Sequence, residues 1–378
     1  MKDFDFMLTE DQISLRDMVR EFAQKKVRPA CKKAEIDGSV PDELLQEAFD
    51  MGLHLATLPE EYGGLGLSKL TYAIIREELA NGDAGFSSRV FGTGFGVLKI
   101  AGTEKQKQMV AESMLNGGIV AFALTEADSG SNSGAMKTTA ELVGDEYIIN
   151  GSKTFITNAA EADFLILLAV TDKTKRSGGV TAFLVPKGTP GFNVVGHEDK
   201  MGFRCVRTSS IFFDDMHLPV EYRIGEEGQG FPIAMEFMDE VRPVCGSSAI
   251  GIAQAALDEA IAYAKLRQVG GKPIIKNQAI TFLLADLEME VQAARQIVWG
   301  ACKSVDAGVP NKKLAAMSKC IAADTAVDVT VRALQVLGGN GYSREYPMEK
   351  LMRDARVFPI FEGTNEIQHI VISAEQLK

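Results

Sequence analysis

The stretch FPIFEGTNEIQ, residues 358–368, places a single carboxylate, Glu362, between a bulky apolar run and a Gly-Thr turn. Apolar neighbours such as Phe358, Ile360 and Phe361 exclude water from a carboxylate, which favours its neutral form and raises its pKa. A carboxylate with a raised pKa is suited to general acid–base catalysis near neutral pH. These residues also fit an ordinary helix-terminal acid after a loop, so both interpretations stay open at this point.

Other patterns of catalytic or metal-ligating residues do not emerge from the sequence. The four histidines are scattered, and the five cysteines are widely spaced with no C-x-x-C pair. We therefore expect no dedicated metal site, and cysteines in this arrangement indicate a reduced, intracellular compartment. No G-x-G-x-x-G follows a strand-like run, so periodicity does not predict a Rossmann-type nucleotide site.

Length, composition and charge exclude several classes of protein. The chain has 378 residues, 46% of them hydrophobic, which is enough for one large or several ordinary domains with a real core. The formal net charge of −11 opposes a polyanion-binding surface, so we expect no nucleic-acid partner. The start, MKDFDFMLTEDQ, carries acids where a targeting peptide carries positive charge, and no apolar run approaches a membrane span. The sequence predicts a cytoplasmic chain.

Three segments with different patterns must position Glu362. Residues 1–118 are predicted to form helices, with Thr9 as an N-cap and with PDELLQEAFDMG and SKLTYAIIREELANG each ending at glycine. Residues 119–232 contain short β-rich runs, IVAFAL, YIIN, FLILLAV, VTAFLV and SSIFFDD, which predict an antiparallel sheet or barrel. Residues 233–378 return to long helical patterns. The prediction is an N-terminal helical domain, a middle sheet domain and a C-terminal helical domain.

Three separated stretches together resemble the acyl-CoA dehydrogenase family: ALTEADSGSNSG (123–134), NGSKTFITNA (150–159) and QVLGGNGYSREYPMEKLMRDARVFPIFEGTNEIQ (335–368). The resemblance covers essentially the whole chain, including the turn PEEYGGLG (59–66). It implies an α+β fold with a helical domain, a middle β-barrel domain and a C-terminal helical bundle. It also implies an FAD enzyme, usually a homotetramer, that oxidises acyl-CoA to trans-2-enoyl-CoA and passes electrons to electron-transferring flavoprotein.

The resemblance assigns the catalytic roles. It implies that Glu362 removes the α-proton of the thioester while the β-hydrogen leaves as hydride to the flavin, and that the backbone N–H of Glu362 helps to activate the carbonyl. Gly363 then matters for the backbone path. Some family members carry the base on another helix, directly before the arginine that matches Arg242. Val241 stands there, and Glu240 is one residue away, rotated by roughly 100° on a helix, so Glu362 keeps the role.

The resemblance also implies the cofactor contacts. From the chain itself these match Thr125, Ser131, Phe155, Ile156 and Thr157. From a neighbouring subunit they match Arg267, Gln278, Gln335 and Gly339, with Thr364 and Gln368 near the adenosine end.

Some positions depart from the family pattern. Gly270 replaces an aromatic residue after Arg267, which puts one flavin contact in doubt, and Phe361, a substrate-side position, replaces a tyrosine common before the base. Ala127 and Asn132 replace the usual proline and aspartate.

The acyl pocket is the part that the sequence defines least. In DAGFSSRVFGTGFG (83–96), Arg89 and Phe91 match the segment that lines the acyl end in relatives, and Arg242 matches a substrate-side arginine. Phe91 would shorten the pocket and favour a short, branched or cyclic acyl group. Arg89 would either bind a substrate carboxylate or be an ion-paired arginine. The alternatives to a dehydrogenase are an enoyl-CoA reductase, a dicarboxylyl-CoA dehydrogenase and a non-catalytic flavin-binding protein.

Overall fold

The computed structural model describes residues 2–92 and 95–378. Met1, and Thr93 and Gly94 of the segment predicted to line the acyl end, lie outside the described residues. The α-helices described in the N-terminal part are α1 (Glu10–Phe22), α2 (Arg28–Asp37), α3 (Asp42–Asp50), α4 (Lys69–Phe91), α5 (Phe95–Ala101) and α6 (Glu104–Leu115).

The start of α1 confirms the predicted N-cap. Thr9 Oγ1 accepts the Gln12 N–H at 3.2 Å, and Gln12 Oε1 accepts the Thr9 N–H at 3.1 Å. This reciprocal capping box satisfies two backbone donors that a helix start leaves free. A π-helical turn, Ala23–Val27, then joins α1 to α2.

The predicted end of a helix at Gly82 is found, but a second helical part follows directly, so α4 consists of two parts. Between them the backbone of Asp83 is extended (φ −163°, ψ 121°), and the second part continues to Phe91. Asp83 Oδ1 accepts the Phe86 N–H at 2.7 Å and so caps the second part. A Cβ at Gly82 would lie 2.8 Å from the carbonyl oxygen of Ala23. Glycine is therefore also needed at this position because α4 passes close to the N-terminal helices.

The middle of the chain forms one twisted sheet of eight strands. They are β1 (Val120–Ala123), β2 (Thr139–Val143), β3 (Glu146–Thr157), β4 (Phe164–Val170), β5 (Val180–Pro186), β6 (Phe192–Val195), β7 (Thr208–Pro219) and β8 (Arg223–Ile224). The order is β6-β7-β3-β2-β4-β5-β8, with β1 beside β4. The pairs β2–β3, β3–β7, β4–β5, β5–β8 and β6–β7 are antiparallel as predicted. However, β1 and β2 pair with β4 in parallel, so the sheet is mixed.

The C-terminal part is helical, as predicted. Its elements are α7 (Gly230–Leu266), β9 (Gln268–Val269), β10 (Lys272–Pro273), α8 (Gln278–Asp306), α9 (Lys312–Leu337), α10 (Gly339–Tyr342), α11 (Met348–Ala355) and α12 (Asn365–Gln376). The long helix α7 packs closely on α4, since a Cβ at Gly251 would lie 2.3 Å from the Glu77 carbonyl oxygen. A buried ion pair between Arg295 and Glu77, 2.8 Å long, also ties α8 to α4.

The main core lies between α4 and the C-terminal helices and includes the buried Trp299. A second core joins the sheet to α5, α6 and the start of α7. The helix–sheet–helix class predicted from the sequence is confirmed, while the boundaries at 118 and 232 stay predictions. All five cysteines are buried and free. Among the helices described, none is both long enough and apolar enough to cross a membrane.

Candidate active site

Glu362 lies in a tight turn between α11 and α12, which we call the Glu362 turn (residues 359–364). Its φ of 54° is in the left-handed region, and Gly363 follows at φ 82°. A left-handed conformation costs a non-glycine residue about 1–2 kcal/mol and persists only where surrounding contacts hold it. Gln368 provides such contacts, since its Nε2 donates to the carbonyl oxygens of Glu362 at 3.3 Å and Gly363 at 2.9 Å. The turn therefore fixes where the carboxylate points.

The electrostatic environment of Glu362 contains opposing influences. The residue as a whole is half-buried. Burial of the carboxyl group raises the pKa of Glu362, whereas the nearby cations Arg76, Lys319 and Arg242 lower it. Burial is the larger effect, so the carboxyl group holds a proton more readily than a carboxyl in water does. This is the property that a general base needs to accept a proton and keep it.

Two of the three apolar neighbours predicted to exclude water do pack into the protein. Phe358 is 1% exposed, and its ring meets the Phe361 ring edge-on at 5.2 Å. The ring centroids of Phe358 and Phe361 also lie 5.8 Å and 6.2 Å from the ring centroid of Phe203. Ile360 is instead 53% exposed, because the turn points it towards solvent. The apolar wall around the turn is therefore an aromatic cluster, and Ile360 is not part of it.

Arg242, on α7, is a buried cation near Glu362. It is 5% exposed and forms an ion pair with Asp239 on the same helix. Burial lowers the pKa of Arg242, and the charges of Asp239 and Glu362 oppose that effect. Its Nε is buried without a hydrogen-bond partner in the part of the chain described. Cys245, one turn further along α7, is buried too, and burial raises the pKa of its thiol to about 12, with Glu362 adding to the effect.

A cavity of about 330 Å³ lies between the N-terminal helices and α7. Its apolar walls are formed by Val90, Phe91, Phe95, Phe237, Val241 and Val244. Glu362 itself is not among the lining residues. Arg76 belongs to both places, since it lines the cavity and its charge acts on Glu362. Arg76 therefore connects the surroundings of Glu362 with the cavity.

Arg76 is the residue at this site that the sequence interpretation missed. Its Nε donates to Ser248 Oγ at 3.2 Å and its Nη1 donates to Tyr72 Oη at 3.3 Å. The guanidinium also lies over the rings of Phe91, at 5.3 Å, and Tyr72, at 5.8 Å. Both hydrogen-bond partners are neutral. In the sequence, YAIIREELA looks like a helix with a solvated charge, and only the packing of α4 on α7 shows that this arginine points inward.

The two acyl-pocket residues predicted from the segment 83–96 separate in the structure. Phe91 lines the cavity and meets Tyr72 edge-on at 5.1 Å. Arg89 is not among the cavity's lining residues. Burial lowers the pKa of Arg89, and the nearest charges that oppose this are Glu161 and Asp42. The structure thus places Phe91 on the cavity, whereas Arg89 is not one of its lining residues.

The residues matched to the flavin ring lie at the C-terminal end of β3 and in the segment that follows β1. Phe155 has a φ of 58° and is 62% exposed, while Ile156 beside it is 2% exposed. The β3–β7 register shifts between Lys153 and Ile156, and a bulge of this kind redirects a side chain. Thr157 and Ser131 are exposed, and Thr125, whose carbonyl accepts the Thr154 N–H at 2.9 Å, is half-buried. A bulky aromatic residue in a strained, exposed conformation suits a site where a flat ring covers it.

A buried ion pair joins β3 to the segment that follows β1. Lys153 Nζ lies 2.8 Å from Glu126 Oε1, and the two side chains are 0% and 8% exposed. Lys153 also donates to the Leu124 carbonyl at 3.1 Å. Glu126 accepts the backbone N–H groups of Lys137 at 2.6 Å and Thr138 at 3.0 Å. The pair therefore fixes Thr125 and Phe155 relative to each other.

The C-terminal residues matched to the cofactor fall into two groups. Arg267, Gln278, Gln335 and Gly339 are all exposed, and a Cβ at Gly339 would have none of the described atoms within 4 Å. Thr364 instead caps α12 by accepting the Ile367 N–H at 3.3 Å. Gln368 is fully buried, with its amide nitrogen engaged by the Glu362 turn, while its Oε1 has no hydrogen-bond partner among residues 2–92 and 95–378. Within one chain, Gln368 therefore holds the Glu362 turn through hydrogen bonds. The four exposed residues face outward.

Comparison with known proteins covers nearly the whole chain. Three family models match: "Acyl-CoA dehydrogenase, N-terminal domain" over residues 9–118, "middle domain" over 121–216 and "C-terminal domain" over 228–377. The fold and site define an oxidoreductase, and the chain belongs to the acyl-CoA dehydrogenase family.

Three relatives illustrate the similarity. "Acyl-CoA dehydrogenase, short-chain specific" from Clostridium acetobutylicum is 41% identical over 98% of this chain and 99% of its own. The butyryl-CoA dehydrogenase structure from Megasphaera elsdenii is 39% identical, covers 98% of this chain and 99% of its own, and has a TM-score of 0.95. A structure described as "Electron transferring flavoprotein of Acidaminococcus fermentans" is 40% identical with the same coverage and TM-score, 0.95.

Proposed function

We propose that this chain is an FAD-dependent dehydrogenase of short or compact acyl-CoA thioesters, with Glu362 as the base and trans-2-enoyl-CoA as the product. The observation that carries the proposal is the position of Glu362, a carboxyl group held in a left-handed turn, with a pKa raised by burial and lowered in part by Arg76, which lines a cavity of about 330 Å³. Similarity to short-chain and butyryl-CoA dehydrogenases supports the choice of a small acyl group.

The chain's own residues account for the proton-transfer half of the reaction. Glu362 accepts the α-proton of the thioester, and its buried position favours keeping that proton. The backbone N–H of Glu362 is a donor for the thioester carbonyl, where negative charge develops as the proton leaves. The apolar cavity walls hold the acyl chain and exclude water. Bound FAD would supply the acceptor for the β-hydrogen as a hydride.

The described residues fit an FAD site. The exposed Phe155, with the hydroxyls of Thr125, Ser131 and Thr157 nearby in the chain, offers an apolar face and hydrogen-bonding groups for the flavin ring. The guanidinium of Arg267 suits a pyrophosphate because its planar fork binds two oxygens. Gly339 leaves open space that a ligand or a second chain could occupy.

The electron acceptor and the setting belong to the same proposal. The similar chain of Acidaminococcus fermentans comes from a structure described as an electron transferring flavoprotein. This description supports a flavoprotein of that kind as the electron acceptor of the present chain. We also propose a cytoplasmic role in fatty-acid β-oxidation. The reverse direction, as an enoyl-CoA reductase, would use the same site.

We predict that the protein purifies yellow with about one FAD per chain, and that four- to six-carbon acyl-CoA thioesters bleach the flavin faster than long straight-chain ones. Phe91 lines the cavity, and if its ring stands at the acyl end, additional methylene groups would clash with it. The test is a panel of acyl-CoA thioesters with flavin absorbance as the readout. A folded, flavin-free protein would contradict the whole proposal, whereas preference for palmitoyl-CoA over butyryl-CoA would contradict only the chain-length assignment.

We also predict a homo-oligomer, most simply a tetramer. Arg267, Gln278, Gln335 and Gly339 match cofactor contacts yet lie on the outside of the single chain, so they would serve the site of a neighbouring subunit. Size-exclusion chromatography with light scattering measures the mass directly. A monomer that retains FAD would mean that these residues are not needed for the cofactor.

A dicarboxylyl-CoA substrate is a second candidate, because Arg76 brings a positive charge to the cavity. Its hydrogen-bond partners there, Ser248 and Tyr72, are neutral. A carboxylate at the end of a short acyl group would complement this guanidinium. Arg89, for which the sequence left open a substrate carboxylate or an ion pair, is not among the residues that line the cavity.

For this candidate we predict that Arg76→Gln reduces the bleaching rate with glutaryl-CoA at least about tenfold more than with butyryl-CoA, the size expected for loss of a charge-assisted hydrogen bond. The ratio of the two rates is the measurement, because Arg76 also acts on Glu362 and its loss affects every substrate. Arg89→Gln is the matched control and should leave the ratio unchanged. Equal losses for both substrates in Arg76→Gln would exclude the dicarboxylyl candidate.

A further inference from the structure

Lys319, on α9, is a buried lysine in contact with the Glu362 turn. Its side chain is 0% exposed. The ammonium group donates to the Gly363 carbonyl oxygen at 2.8 Å and to Asn365 Oδ1 at 3.0 Å. Both acceptors are neutral, although buried lysines are usually paired with a carboxylate. The charge of Lys319 is therefore placed beside Glu362 without being neutralised by the groups that hold it.

The contacts of Asn365 extend this arrangement. Asn365 is the first residue of α12, and its Nδ2 donates to Asp324 Oδ1 at 2.7 Å and to the Cys320 carbonyl at 3.4 Å. Helix α9 thus holds Gly363 through Lys319, and holds the start of α12 through Lys319, Cys320 and Asp324. The Glu362 turn is fastened at its C-terminal end to one helix.

Charged and titratable groups face Glu362 from three helices. Arg76 comes from α4, Arg242 and the Cys245 thiol come from α7, and Lys319 comes from α9. The three cations lower the pKa of Glu362 against the effect of burial. Burial keeps these interactions strong, because little water is present to screen them.

Groups from the same region also face Lys319. Burial lowers the pKa of Lys319, whereas Cys245, Cys320, Glu362 and Asp324 oppose that effect. A neutral amide could donate a hydrogen bond to the Gly363 carbonyl as well as an ammonium group does. Burying a charge at this place costs free energy, so the charge itself needs a reason.

We propose that Lys319 is a positioning residue for the base: it holds the left-handed Glu362 turn through the Gly363 carbonyl and supplies positive charge next to the Glu362 carboxylate. The inference rests on the proposed function, in which Glu362 takes the α-proton. Lys319 touches neither substrate nor reacting atoms and acts only through Glu362 and Gly363.

The test is stopped-flow bleaching of the flavin by butyryl-CoA between about pH 5 and 9, with the wild type, Lys319→Met, Lys319→Gln, Lys319→Arg and Ser318→Ala. The bleaching rate rises with pH as Glu362 ionises, and we call this rising part of the pH–rate profile the acid limb. Removing Lys319 takes away a positive charge that lowers the pKa of Glu362. The acid limb should therefore move to higher pH in Lys319→Met and Lys319→Gln. Lys319→Met should also lose about 10- to 100-fold in rate at pH 7 with little change in KM, because the base is displaced.

Three variants separate charge from hydrogen bonding and from packing. Lys319→Gln keeps a donor without charge, so it should shift the acid limb like Lys319→Met but lose less rate, whereas Lys319→Arg should keep the wild-type acid limb. Ser318→Ala removes a buried hydroxyl from the adjacent position, where it donates to the Ala315 carbonyl at 2.7 Å, and should match the wild type.

The outcomes are distinct. If butyryl-CoA does not bleach the flavin of the wild-type protein, the proposed function is contradicted. The ratio of the bleaching rate of a variant to that of the wild type tests the role of Lys319. An unmoved acid limb in both neutral variants, or an unchanged rate in Lys319→Met, overturns the inference. So would flavin-free, unfolded protein from all three Lys319 variants beside a folded Ser318→Ala, since Lys319 would then be needed for folding alone.

Discussion

Glu362→Gln is expected to bind FAD and acyl-CoA and yet fail to bleach the flavin at a significant rate. The amide has nearly the same shape and leaves the backbone donor in place, but it cannot take the α-proton. Loss of a positioned general base costs on the order of 10²–10⁴ in rate, and we expect the upper end because proton and hydride removal are coupled. Stopped-flow absorbance of the flavin band with the best substrate measures the effect.

Two other acids serve as controls for Glu362→Gln. Glu366 is exposed and four residues away in the chain, so Glu366→Gln should behave as the wild type. Glu240 pairs with Lys69 at 3.0 Å, and we expect Glu240→Gln to change bleaching by less than about threefold, well under 1 kcal/mol of barrier. If Glu240→Gln loses bleaching and Glu362→Gln keeps it, the base lies on α7 and the mechanism is wrong.

Lys153→Met should lower the free energy of unfolding by about 3–5 kcal/mol, the usual cost of leaving one charge of a buried ion pair without its partner. Glu126 would remain in place, 8% exposed, with only backbone N–H groups to compensate its charge. Because the pair fixes Thr125 and Phe155, the variant should also retain less FAD. Urea unfolding followed by circular dichroism, with flavin content measured separately, gives both results.

The chain offers a matched control for this pair. Lys137 and Asp128 lie 2.7 Å apart, almost the separation of Lys153 and Glu126, but both side chains are 74% exposed. Exposed pairs contribute little because water and salt screen them. Lys137→Met should therefore leave the unfolding curve unchanged. Equal losses in the two variants would mean that burial is not the source of the stability.

Local patterns in the sequence were sufficient to predict much of the fold. Helical periodicity, the capping signal at Thr9 and the apolar run of β4 depend on neighbouring residues, and each is found in the structure. What the sequence did not predict depends on distant contacts. The helix break after Gly82 was predicted, but the close approach of Gly82 to Ala23, 59 positions earlier, was not. Likewise, the parallel pairing of β4 with β1 and β2 depends on the course of the whole chain.

The residues of the candidate site also divide into those that could be selected from the sequence and those whose position depends on distant contacts. Glu362 and Phe91 could be selected from the sequence because family motifs surround them. Arg76 and Lys319 could not, since each lies in a helical pattern where a charge normally faces solvent. Their side chains are inward because α4 packs on α7 and α9 packs against α12, and no local signal reports such packing. Arg89 was chosen by its position in the chain, and the structure places it off the cavity.

The left-handed backbone of Glu362 sets stability against activity at a single residue. A glycine would adopt the same φ of 54° without the steric cost, so exchanging the base for glycine should stabilise the fold by up to about 1 kcal/mol. A variant library selected only for heat resistance would therefore tend to discard the carboxylate, and an activity screen would restore it. Engineering this enzyme for robustness means leaving the Glu362 turn strained and gaining stability elsewhere.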